Sequence, residues 1–216
     1  MVGDEGTVEP GRIVVLNGAP RSGKSSIAAA IQQSSPEPWL NLGADVFIRC
    51  VTPERYRPGI GLRPGGERPD LERWVAVLYA AMYASVAAHS RLGLNVVVDV
   101  GHHDAYSRPL GILPRVASQL EGLPALLVGV RCPLEVIMRR RDTGRPGREG
   151  EYVVTEPGGA VPDAVLRWQR EVHVPGIYDL EVDTSVLSPA QCAEAIGRRV
   201  QDGPAPTAFR RIAGLA

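Results

Sequence analysis

Short, nearly unbroken apolar runs alternate along this chain with longer stretches in which apolar residues recur every three or four positions. The runs are Arg12–Asn17 (RIVVLN), Pro38–Gly43 (PWLNLG), Asn95–Val100 (NVVVDV) and Ala125–Val130 (ALLVGV), with a shorter one at Asp179–Asp183. Continuous apolarity over four to six residues predicts strands buried on both faces, the habit of a parallel sheet. Between them, helices are predicted over Ser25–Ser34, Asp70–Leu92, Leu110–Leu120, Leu134–Asp142, Pro162–Val172 and Ser188–Val200. In the longest, Leu71, Trp74, Val75, Leu78, Met82 and Val86 share one face, and Asp70 stands where an N-cap would. Strands alternating with helices predict an α/β fold of three layers, α/β/α, around a parallel sheet.

The punctuation between these elements is uneven. Residues 53–69 hold four prolines, four glycines and the arginines Arg55, Arg57, Arg63 and Arg68. That is loop chemistry, in a segment too long for a plain connector. The pattern reads as a flexible lead-in over residues 1–11, one P-loop domain over 12–202 and a flexible, Pro/Ala-rich tail over 203–216. There is no internal repeat.

Composition narrows the classes. Twenty-four basic residues balance 24 acidic ones among 216, so no general basic excess marks a nucleic-acid or anionic-membrane binder. No apolar run approaches the roughly 20 residues of a membrane span, and the N-terminus lacks the pattern of a signal peptide. Cys50, Cys132 and Cys192 are odd in number and far apart, which fits a reducing cytoplasm better than a disulfide framework. No oligomeric state is read from these data.

One feature carries chemistry outright. Of the 24 basic residues only Lys24 is a lysine, and it sits in Gly18-Ala19-Pro20-Arg21-Ser22-Gly23-Lys24-Ser25, followed by Ser26. This fits G-x-x-x-x-G-K-[ST], between a predicted strand and a predicted helix, the context of a phosphate-binding P-loop. Backbone N–H groups of such a loop surround a polyphosphate, the lysine reaches the β and γ phosphates, and the Ser25 hydroxyl joins a Mg²⁺ shell. Asp99, near the end of an apolar strand, is either a second Mg²⁺ partner or a cap for the following loop. Asp45, after the second strand, is either a base for a substrate hydroxyl or a helix N-cap. Arg141, Arg145 and Arg148 are candidates for a lid that neutralises charge on a moving phosphoryl group, whereas Arg139 and Arg140 are equally a solvated helical face. His102 and His103 read as a polar loop bordering the cleft rather than a metal site. Trp39, Trp74 and Trp168 read as core, His89 and His173 as packing or surface.

The segments IVVLNGAPRSGKSS at 13–26, PEPWLNLGAD at 36–45, VVVDV at 96–100, LVGVRC at 127–132 and YDLEVDT at 178–184 together resemble the chloramphenicol phosphotransferase family of P-loop kinases. The resemblance spans roughly residues 12–200. It implies an adenylate-kinase-like fold, ATP and Mg²⁺ as cofactors, a small-molecule hydroxyl as acceptor (an antibiotic such as chloramphenicol), and Asp45 as the base. It also implies that Asp183 and Thr184 lie near the adenine side. It departs at Val100, where the family has a second acid after the one at Asp99, and in the arginine-rich segment between Asp45 and Asp70, where acceptor selectivity is expected. The alternatives are a metabolic kinase for a nucleoside, nucleotide or sugar, and a nucleotide-binding regulatory or toxin-like protein.

Overall fold

The computed structural model describes residues 8–142 and 160–214. Strands β1 (Ile13–Asn17), β2 (Trp39–Asn41), β3 (Asn95–Val100), β4 (Ala125–Arg131) and β5 (Leu180–Asp183) form one parallel sheet in the order β2-β3-β1-β4-β5. Each predicted apolar run supplies one of them. Around the sheet lie α1 (Lys24–Ser34), the single turn α2 (Ala44–Val46), α3 (Pro69–Arg91), α4 (Ile112–Gln119), α5 (Leu134–Asp142), α6 (Asp163–Glu171), α7 (Pro189–Asp202) and α8 (Ala208–Ala213).

Successive side chains of a strand point to opposite faces, and each face is covered. Ile13, Val15, Val96, Val98 and Leu127 pack under α3, α4 and α8, against Tyr79, Met82, Val86 and Phe209. Val14, Leu16, Val97, Leu126 and Val128 pack under α1 and α7, against Ile27, Cys192 and Ile196. This is the three-layer α/β/α architecture expected. Because β3 lies on one side of β1 and β4 on the other, the connections diverge at the carboxyl end of β1, where open α/β sheets bind ligands.

Three expectations fail here, the last in part. The segment after residue 203, read as a loose tail, forms α8, whose Ala208, Phe209 and Ile212 are buried. The Asp179 carboxylate accepts from the Thr207 and Ala208 amides at 2.7 and 3.0 Å, so a distant residue caps this helix. Asp70 is not an N-cap: Arg68 holds that position, Pro69 opens the helix, and Asp70 lies in the first turn, ion-paired to Arg68 at 2.7 Å. That guanidinium holds the Asp70 carboxyl below its ordinary range. Of the lead-in, residues 1–7 lie outside the described residues, and Gly11 is tied down, its amide donating to Ser90 O at 2.7 Å.

Candidate active site

The carboxyl end of β1 runs directly into the P-loop, and the loop's geometry explains its residues. The Gly18 amide donates to Val100 O at 3.2 Å, and a Cβ on Gly18 would overlap the Val130 carbonyl. Gly23, at φ 98°, takes the left-handed conformation that turns the chain into α1. Lys24 Nζ donates to Gly18 O at 2.8 Å and Ala19 O at 2.9 Å, curling over the loop. Ser25 Oγ donates to Asp99 Oδ2 at 2.7 Å. The loop serine and the β3 acid, predicted to share a metal, are therefore adjacent. Gly43 makes room for them, since a Cβ there would overlap the Asp99 carboxylate.

The same loop is braced from outside by Arg140, for which the sequence leaves lid and solvated face equally open. Arg140 of α5 donates to Thr184 Oγ1 at 3.0 Å, Thr184 O at 2.6 Å, Arg21 O at 3.4 Å and Cys132 Sγ at 3.3 Å. Thr184 Oγ1 in turn donates to Ser22 O at 2.7 Å. Arg140 and Thr184 thus tie the P-loop to the ends of β4 and β5. Arg139, in contrast, is exposed.

A cavity of about 650 Å³ opens beside the loop, lined by Gly18, Lys24, Ser25, Asp45, Asp99 and Arg141, among others. Asp45 lies within the first turn of α2, whose N-cap is Gly43. Asp45 is therefore not the N-cap residue itself, and it lines the cavity with the P-loop. Of the lid candidates, Arg141 lines the cavity, while Arg145 and Arg148 lie outside the described residues. Asp183 sits at the end of β5 and accepts from the Ser185 amide and hydroxyl, bonds that keep its carboxyl low in pKa.

The far wall comes from Phe47–Val51 and from the segment after residue 53 that reads as loop chemistry. Phe47–Val51 forms a π-helical turn, followed by short 3-10 turns at Glu54–Tyr56 and Gly59–Gly61. This irregular wall is fastened to the core: Tyr79 Oη donates to Ile60 O at 3.1 Å, His103 Nε2 donates to Leu62 O at 2.9 Å, and the Gly65 amide donates to Ala105 O at 2.7 Å. Buried Glu72 accepts from the amide and hydroxyl of Ser107, holding the neighbouring loop to α3.

Here the reading of His102 and His103 as a polar loop at the cleft is corrected. Both are buried, His102 stacked on Tyr79 and Tyr83 and His103 packed against Tyr106 and edge-on to Trp168. Burial lowers both pKa values, that of His102 to about 3. His102 shares a 2.8 Å hydrogen bond with Tyr83 Oη, and its amide donates to Asn17 Oδ1 at 2.7 Å. Asn17 Nδ2 donates onward to Val172 O and Tyr178 Oη, so the residue before the P-loop anchors the loop's base to the end of α6. His173, read as packing or surface, belongs to the same network through Tyr178 Oη at 2.7 Å, and desolvation lowers its pKa to about 4. Trp168 is half-buried: it packs against the cluster of Ala19, Ile137 and Val172 and also lines the cavity, lying over Gly101, where a Cβ would strike its ring. Trp39 and Trp74 are half-buried. Among the described residues, no cluster of three or more His, Cys, Asp or Glu is placed to hold a metal unaided.

A parallel sheet with a P-loop at its central strand and helices on both faces is the fold of P-loop kinases. The model of the family Chloramphenicol phosphotransferase-like protein matches residues 11–201, and the chain belongs to this family. It is a phosphotransferase that acts on a hydroxyl acceptor. A Mycobacterium tuberculosis protein provisionally named an O-phosphotransferase is 27% identical over 215 residues, covering 94% of this chain and 88% of the relative. Among solved structures, the tunicamycin resistance protein of Deinococcus radiodurans is similar at 20% identity and TM-score 0.52, over 88% of this chain and 96% of its own. A gluconokinase from Sinorhizobium meliloti is similar at 21% identity and TM-score 0.54, over 96% and 95%. At these identities the two structures speak to the fold. No helix among the described residues is long and apolar enough to cross a membrane.

Proposed function

We propose that this protein transfers the γ-phosphoryl group of ATP to a hydroxyl of a small molecule, with Asp45 as the group that orients the hydroxyl and takes its proton. The observation that carries this reading is one cavity lined at once by Lys24, Ser25, Asp99 and Asp45. Lys24 and the loop amides hold the polyphosphate, a compact cation and a ring of N–H donors against its charge. Ser25 and Asp99 offer hard oxygen ligands 2.7 Å apart, a pair that suits Mg²⁺ shared with phosphate oxygens. When bound, that ion neutralises charge on the β and γ phosphates. In the transfer, the bond from the γ phosphorus to its bridging oxygen breaks and a bond to the acceptor oxygen forms. The hydroxyl proton passes to the Asp45 carboxylate, and ADP leaves. The transition state is loose, so placing the acceptor in line outweighs basicity. Arg141, with Arg145 and Arg148, supplies positive charge to the equatorial oxygens.

The family relationship points to an antibiotic hydroxyl, as in chloramphenicol. Arg49, Arg57 and Arg63 in the cavity wall favour a second reading, a metabolic hydroxyl compound. Free thiols at all three cysteines suit a cytoplasmic enzyme. The test is mass analysis of hydroxyl compounds incubated with Mg·ATP and the full chain. Gain of one phosphoryl group, absent with Lys24→Ala, is expected; gain that survives Lys24→Ala would remove the P-loop from the reaction.

A further inference from the structure

The acceptor side of the cavity is built from cations. Its described lining includes Arg21, Lys24, Arg49, Arg57, Arg63 and Arg141, together with the carboxylates Asp45 and Asp99. In the reading above both carboxylates have work, one with the hydroxyl and one with Mg²⁺, and Lys24 and Arg141 serve the polyphosphate. Arg57 and Arg63 of the far wall remain to be explained.

Arg57 is the telling one. Its guanidinium is held by backbone carbonyls, Nε donating to Thr52 O at 3.1 Å and Nη2 to Arg49 O at 2.8 Å. Thr52 is itself buried and fixed, its amide and hydroxyl both donating to Phe47 O, at 2.8 and 2.9 Å. The charge is therefore aimed by neutral groups and has no carboxylate partner among the described residues. Two carbonyls orient a guanidinium without cancelling it, and its third nitrogen is left to bond an anion. Arg63 adds a second cation with only a loose partner. Its Nε lies 3.8 Å from Glu67, an exposed pair in which Glu67 also bonds Arg167 at 3.2 Å. The wall that carries both arginines is fastened at Ile60, Leu62 and Gly65, so the cations are held in place before any ligand arrives.

We propose that the acceptor carries an anionic group, a carboxylate or a phosphate, bound by Arg57 with Arg63 beside it, while its hydroxyl meets Asp45. The inference rests on the phosphotransferase reading above and narrows it. A neutral hydroxyl compound leaves Arg57 without its partner and is a poor acceptor, so of the two readings above the inference takes the metabolic compound over chloramphenicol.

The experiment offers the full chain Mg·ATP and a bacterial small-molecule extract, supplemented with chloramphenicol and with glucose, gluconate and glucose 6-phosphate, three six-carbon hydroxyl compounds that differ in charge. Products are identified by mass, and the best acceptor is followed by steady-state kinetics. The expected acceptor bears a carboxylate or a phosphate, and the product says which. Arg57→Gln should raise its KM about 10- to 100-fold, the weight of a charge-assisted hydrogen bond, with the KM for ATP unchanged. Arg57→Lys, which keeps the charge but loses the fork, should recover part of the loss, which a merely misfolded wall would not allow. A neutral best acceptor, or an acceptor KM indifferent to Arg57→Gln, overturns the inference and leaves the phosphotransferase standing. A rise in the ATP KM instead assigns Arg57 to the donor and also overturns it. Bound ATP with transfer to no compound takes down both.

Discussion

The two sides of the cavity are built on opposite principles. The phosphate side is a regular strand, a tight glycine-bearing loop and a helix, with local geometry that follows from residue type. The side proposed to take the acceptor is irregular backbone from Phe47 to Gly65, held by side chains of α3 and of the loop after β3. Binding a polyphosphate is the same task in every protein that does it, so a short motif suffices. Binding one particular hydroxyl compound is not, and its wall is shaped by long-range contacts.

That contrast can be broken from either side. The largest effect belongs to Lys24→Ala, which should lower transfer by about 10³-fold or more for every acceptor, since it removes charge that stabilises the transferred group. Loss confined to one acceptor would blur the division. Arg140→Ala comes next. It removes the brace between the P-loop and β5, and should cost about 1–3 kcal/mol in urea unfolding and weaken ATP binding about tenfold. Acceptor KM, measured at saturating ATP, should hardly move.

Acid should affect both sides together, because His102 joins Asn17 beneath the P-loop to Tyr83 beneath the acceptor wall. Its pKa falls from 6.5 to about 3 on burial, and that of His173 falls to about 4. Below pH 6.5 the unfolded chain takes up protons that the folded chain refuses. Stability is therefore full above that pH and declines as pH falls toward 4, with each histidine contributing at most about 1.4 kcal/mol per pH unit. His102→Phe should flatten the decline in unfolding measured across this window. The smallest effect is Tyr79→Phe, which strands the Ile60 carbonyl for about 1 kcal/mol. It should raise acceptor KM a few-fold, with ATP binding unchanged; an equal change in both would mean the wall and the P-loop are one unit.

The sheet was legible because burial on both faces leaves a continuous apolar run, and Asn95–Val100 emerges with the boundaries its residues predict. The P-loop and its pairing with Asp99 were legible for the reasons above. What escaped depends on partners distant in sequence. Helix α8 spans six residues, too few to display a period, follows Pro204 and Pro206, and is capped by Asp179. Arg140 sits in a run of three arginines that looks solvated until β5 arrives beside it. His102 and His103 are polar by type, yet buried and spent on fastening neighbours. A histidine pair just past a buried strand, with several tyrosines elsewhere, was the one signal on offer, and it does not say which groups meet.

Asp45 is where the two sides join, so the most direct measurement is the kcat and the ATP dissociation constant of Asp45→Asn beside the unaltered protein. The account predicts kcat reduced by about 10²- to 10⁴-fold with ATP binding within a factor of two. An unchanged kcat would contradict it and leave Asp45 a bystander in the wall of the cavity.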